Sequence, residues 1–79
     1  MRAFISVDLE GMPYIVTIEH LLLKRALYDE ARNIATEITS IVCEALHEEG
    51  VDEIVVADSH GPMVNIRPEK IPDYVHLIR

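Results

Sequence analysis

Hydrophobic positions fall into three ordered blocks along the chain. Ala3 to Val7 is a compact apolar run containing β-branched Ile5 and Val7, and it stops at Asp8. A strand buried on both faces reads this way. From Asp29 to Glu49 the period changes. Ala31, Ile34, Ala35, Ile38, Ile41, Val42, Ala45 and Leu46 recur at three- and four-residue steps, while Glu30, Asn33, Glu37, Ser40, Glu44 and Glu48 take the other side. This predicts an amphipathic helix, with Gly50 placed where a glycine closes one. Glu53 to Ala57, with Ile54-Val55-Val56 at its heart, is a second short run and ends at Asp58. Strand, helix and strand with short connections form a βαβ unit, whose strands lie parallel across a right-handed crossover.

The remaining segments are weaker in pattern. Ile18 to Leu27 could carry the helix back to a cap at Thr17, but the product would far exceed the roughly 8–20 residues of ordinary helices. A loop with a short separate turn over Met12 to Leu27 is therefore expected. Tyr74-Val75-His76-Leu77-Ile78 alternates like a strand, and Gly61 to Ile71, with Pro62 and Pro68, reads as loop. The fold class is α/β: a βαβ start of a mostly parallel sheet flanked by helices. One helix covers one face of such a sheet, whereas both apolar runs call for cover on two. Residues 1–79 are accordingly expected to be a single partial domain, the N-terminal part of a larger one or a chain completed by a partner.

Composition narrows the function classes. Apolar residues make up 49% of the 79, only four are aromatic (Phe4, Tyr14, Tyr28 and Tyr74), and the formal net charge is −7. Nucleic acid and anionic membrane both require a basic footprint, so neither is an expected partner. No apolar run approaches the ~18 residues of a membrane span, and Met1-Arg2-Ala3-Phe4 shows no basic leader, so no signal peptide is expected. The single cysteine, Cys43, precludes an intrachain disulfide framework and fits a reducing compartment. A cytoplasmic protein is the expectation.

Candidate chemistry sits where the strands end. Val7-Asp8-Leu9-Glu10-Gly11 follows the first strand and Ala57-Asp58-Ser59-His60-Gly61-Pro62 the second. Ligands of open parallel sheets collect at that edge. In extended backbone Asp8 and Glu10 project to one side with Leu9 turned to the core. Two carboxylates and the His60 imidazole suit Zn²⁺, Mn²⁺ or Fe²⁺, and Asp58 could accept from the His60 ring and fix it. The bland reading is acids that cap the next element or face water. A Ser-His-Asp triad in Asp58-Ser59-His60 is weaker still, because sequence neighbours rarely present nucleophile and base to each other. Cys43 reads as core, His47 as a helix-end residue opposing the dipole, and His20 and His76 lack companions at ligand spacing. A magnesium-dependent aspartyl phosphotransfer domain using Asp8 and a non-catalytic subunit are the alternatives.

Three stretches together resemble one family. They are Phe4-Ile5-Ser6-Val7-Asp8-Leu9-Glu10-Gly11, then Tyr28 through Ala45 with Ala31-Arg32 and Thr36-Glu37, then Asp58-Ser59-His60-Gly61-Pro62-Met63-Val64-Asn65. They are similar to the zinc D-aminopeptidases of the dipeptide-transport-protein type. The resemblance covers essentially the whole chain but only about the first third of such enzymes. It implies an α/β metallopeptidase with a two-zinc centre, assembled into ring-shaped homo-oligomers, that removes N-terminal D-amino acids from short peptides. By the resemblance Asp8, Glu10 and His60 are metal ligands, with Asp8 bridging both ions. The remaining ligands and the catalytic histidine of the family lie downstream of Arg79, so the 79 residues alone are expected to be inactive.

Overall fold

The computed structural model describes residues 1–79. Its elements run β1 (Arg2–Val7), a 3-10 turn at Ile18–His20, α1 (Tyr28–Glu48), β2 (Glu53–Asp58), a 3-10 turn at Pro68–Lys70 and β3 (Val75–Ile78). The three strands form one parallel sheet in the order β1-β2-β3. In its register Ala3 pairs with Ile54, Ile5 with Val56 and Val7 with Asp58, so β1 and β2 end side by side. The α/β class, the βαβ unit and the third strand all match the expectation. No helix is long and apolar enough to cross a membrane.

Helix α1 begins at Tyr28 without a side-chain cap, and Asp29 and Glu30 in its first turn face the positive end of the dipole. Its last turn closes by the two bonds of a Schellman ending. The Val51 N–H donates to the Leu46 carbonyl at 3.0 Å and the Gly50 N–H to that of His47 at 3.1 Å. This ending requires a left-handed residue, and Gly50 supplies it at φ +93°. The His47 ring also stacks on Tyr74, centroids 3.9 Å apart, which ties the helix end to the approach to β3. Thr17 caps the turn at Ile18–His20 rather than a longer helix.

The core lies between α1 and one face of the sheet. Ala31, Ala35 and Cys43 from the helix meet Val7, Leu9, Ile54, Val56 and Ile66, all buried. Small helix residues let the backbone lie close to the strands. The strands alternate instead of being buried on both faces. Ile54, Val56 and Asp58 are buried while Val55 and Ala57 are half-buried. On the far side Phe4 is 66% and Ile78 49% exposed. The second covering layer that the apolar runs call for is not among these residues.

Candidate metal centre

The carboxyl edge of β1 and β2 is built by three local devices. After Val7 the chain turns so that Leu9 is fully buried and Asp8 and Glu10 face out. The Leu9 N–H donates to Asp8 Oδ1 at 2.8 Å, and the Met12 N–H closes a turn onto the Leu9 carbonyl at 3.1 Å. Gly11, at φ +94°, stands where that turn needs a left-handed residue. On the neighbouring strand the Ser59 N–H donates to the Val7 carbonyl at 2.9 Å, which holds the two strand ends together past the last ladder pair.

Asp58 is the second device. Its Oδ2 accepts from the Asn65 and Ile66 N–H groups at 2.8 and 2.9 Å, and its Oδ1 from Asn65 Nδ2 at 2.7 Å. Asn65 Nδ2 also donates to the His60 carbonyl at 2.7 Å, and Tyr28 Oη donates to Asn65 Oδ1 at 2.7 Å. Burial pushes the Tyr28 phenol up from its ordinary value, aided by the charges of Asp58 and Asp29 against the opposing pull of Arg32, so it stays a neutral donor. The sequence suggests that Asp58 accepts from the His60 ring; instead the ring bonds to Asp8 and Leu21, and Asp58 to Asn65 and Ile66. Asp58 fastens the loop that carries His60, and it touches His60 only through Asn65.

The third device is the ring contact itself. His60 Nε2 donates to the Leu21 carbonyl at 2.7 Å. A carbonyl can only accept, so Nε2 carries the hydrogen. Nδ1 faces the acids, 2.8 Å from Asp8 Oδ1 and 3.0 Å from Glu10 Oε1. The His60 side chain is 10% exposed, while those of Asp8 and Glu10 are 61% and 60% exposed, so the cluster is seated in the protein on one side and open on the other. Burial alone would lower the His60 pKa. The Leu21 bond, the Asp8 bond and the two carboxylate charges outweigh it and raise it above 6.5. Asp8 is held below its ordinary 3.8, first by the Leu9 N–H and against some burial, then by Glu10 and His60.

The structure brings Asp8, Glu10 and His60 together, and each offers a donor atom within 4.8 Å of the others. Donors around a tetrahedral zinc lie ~3.4 Å apart, so the three side chains would have to shift for one ion to bind all of them. Nitrogen and oxygen donors with a free open side fit a catalytic rather than a closed structural site. A protonated Nδ1 holds the two acids together without metal. A cation in its place satisfies the same charges. Leu21, Asn65 and Tyr28 were not singled out in the sequence for this edge. Leu21 acts through its backbone, which leaves no side-chain signal. Cys43 is buried in the core, and His47 lies at the helix end, both as expected. His76 is exposed on β3, and His20 is buried against Glu30.

The geometry can be set beside known proteins. A solved structure described as the zinc-dependent D-aminopeptidase DppA from Bacillus subtilis, a self-compartmentalizing protease, matches 99% of this chain with a TM-score of 0.95 at 29% identity. A curated D-aminopeptidase from Bacillus subtilis strain 168 is 30% identical over 78 residues. The chain spans 28% of the length of each. A family profile described as D-aminopeptidase matches residues 1–79, the whole length. With the fold and a full-length family match in agreement, this chain belongs to the D-aminopeptidase family of peptidases.

Proposed function

We propose that this chain contributes Asp8, Glu10 and His60 to the zinc centre of an enzyme that removes N-terminal D-amino acids from short peptides. The observation that carries the reading is the convergence of these three donors at one sheet edge in a member of the D-aminopeptidase family. Family membership displaces the magnesium phosphotransfer alternative. Asp8, bonded to Leu9 and His60 through Oδ1, would hold the metal together with Glu10 and His60 and would be the ligand shared by two ions. The other ligands and the catalytic group come from protein outside these 79 residues, and the 28% coverage of the relatives supports that. These 79 residues are one part of a larger domain, inactive alone.

Each residue has a defined task. Leu21 and the Asp58–Asn65 pair orient His60, so that Nδ1 is presented to the site and Nε2 is withheld. The net charge of −7 favours the approach of a peptide's cationic N-terminus to the protein. Bound zinc supplies Lewis acidity, activating water for attack and polarising the scissile carbonyl. Assembly into a ring of identical subunits is part of the proposal, and the description of DppA as self-compartmentalizing supports it. A single buried cysteine, Cys43, with no disulfide partner in the chain suits action in a reducing compartment such as the cytoplasm.

Removal of metal by a chelator and stepwise return of zinc, in the full protein containing this chain, test this reading, with hydrolysis of D-alanyl and L-alanyl p-nitroanilides as readout. Activity should vanish, return with zinc and favour the D substrate. Full activity in the chelated, metal-free protein would discard the proposal.

A further inference from the structure

Helix α1 and the Met12–Leu27 loop are joined by a buried histidine that the metal reading does not use. His20 is 2% exposed. Its Nδ1 accepts the Val16 N–H at 3.3 Å, so its hydrogen lies on Nε2, which donates to Glu30 Oε2 at 2.7 Å. Glu30 stands in the first turn of α1, with its side chain 55% exposed. The next residue after His20 is Leu21, whose carbonyl takes the His60 Nε2 hydrogen at 2.7 Å. The loop is further closed by the Leu21 N–H on the Ile18 carbonyl at 3.0 Å and the Leu27 N–H on the Glu19 carbonyl at 3.1 Å.

We infer that His20 and Glu30 are positioning residues for the metal centre: their bond pins the loop to α1 and so holds the Leu21 carbonyl where it fixes the His60 ring with Nδ1 toward Asp8 and Glu10. The anchored ring and the carbonyl belong to neighbouring residues, so displacement of one carries the other. A carbonyl that fixes the far nitrogen of a ligating histidine sets both its tautomer and its ring angle. His20 cannot do this through solvent, because it is buried. An unanchored Nε2–H there would be an unpaired buried donor, and the loop would move to satisfy it.

This inference rests on the proposed zinc centre, and the test separates the two. Zinc affinity is measured by competition with a chromophoric chelator in the full protein containing this chain, for wild type, His60→Ala, Glu30→Ala and Glu30→Gln. The His60 ring nitrogens are followed by NMR in the same samples. Alanine on the exposed face of α1 preserves the helix, and glutamine keeps an acceptor for His20 while removing the charge. Glu30→Ala should weaken zinc about tenfold and shift the His60 Nε2 signal, and Glu30→Gln should restore both. Equal affinity in Glu30→Ala and wild type overturns the positioning role, as does equal weakening by the two Glu30 variants, which would make charge the cause. Wild-type affinity in His60→Ala would instead overturn the zinc centre.

Discussion

At the scale of single residues, the site depends on which atoms are already committed. His60 Nε2 is taken by Leu21, and Nδ1 is shared between two carboxylates. Metal-free protein should therefore show a defined pH profile. The folded state raises His60 above 6.5, so that stabilisation is fully present below pH 6.5 and lost as pH rises through the folded value. Asp8 is depressed below 3.8, so its contribution is present above pH 3.8 and lost as pH falls through the folded value. Thermal melts of chelated protein should show highest stability between these limits, with an alkaline decline that His60→Gln removes. With zinc the alkaline decline should reverse, because the ion takes Nδ1 only after its proton leaves. A profile unchanged by His60→Gln would count against the assigned contacts. Asp58→Ala should cost about 3 kcal/mol or more in urea unfolding, since it strands the buried N–H groups of Asn65 and Ile66; a loss under about 1 kcal/mol would show that the loop does not depend on it. Asp8, Glu10 and His60 were legible because glycine and a broken apolar run mark each strand end. The role of Asp58 is not legible in the same way. Its partners lie seven and eight residues ahead, and sequence gives no sign that the loop folds back onto it.

At the scale of elements, local pattern was most informative where burial is periodic. The stripe from Ala31 to Leu46 at three- and four-residue steps and the apolar strand runs predict the helix and the sheet. The helix start was less legible, because Leu27 provides no capping side chain and Thr17, a good cap by type, serves the 3-10 turn at Ile18–His20. The strands were read as buried on two faces, since consecutive apolar residues do not reveal which face is covered by this stretch of chain. Gly50 gives an element-level test. A Cβ added there meets nothing within 4 Å, so Gly50→Ala should cost only the left-handed backbone penalty, about 1–2 kcal/mol. Gly50→Asn should cost less, because asparagine tolerates that conformation. Equal and negligible losses in both variants would show that the Schellman ending does not hold the α1–β2 connection.

The whole molecule presents one finished and one unfinished surface. Helix α1 covers one sheet face, and the opposite face leaves Phe4 and Ile78 largely exposed. Produced alone, residues 1–79 should self-associate and bind a hydrophobic dye, and Phe4→Lys with Ile78→Lys should shift them toward monomer in analytical ultracentrifugation. A monodisperse wild-type monomer would indicate that the face needs no cover. The same incompleteness applies to the site: three donors converge on an open edge, and the chain spans only 28% of the length of the curated relative and of the solved structure it matches.

Anomalous diffraction at the zinc edge from crystals of the full zinc-loaded protein decides whether Asp8, Glu10 and His60 hold the ion. A peak bonded to His60 Nδ1 and to carboxylate oxygens of Asp8 and Glu10 is the predicted result. Fully loaded zinc lying elsewhere, with His60 Nδ1 still hydrogen-bonded to Asp8 and Glu10, would contradict it.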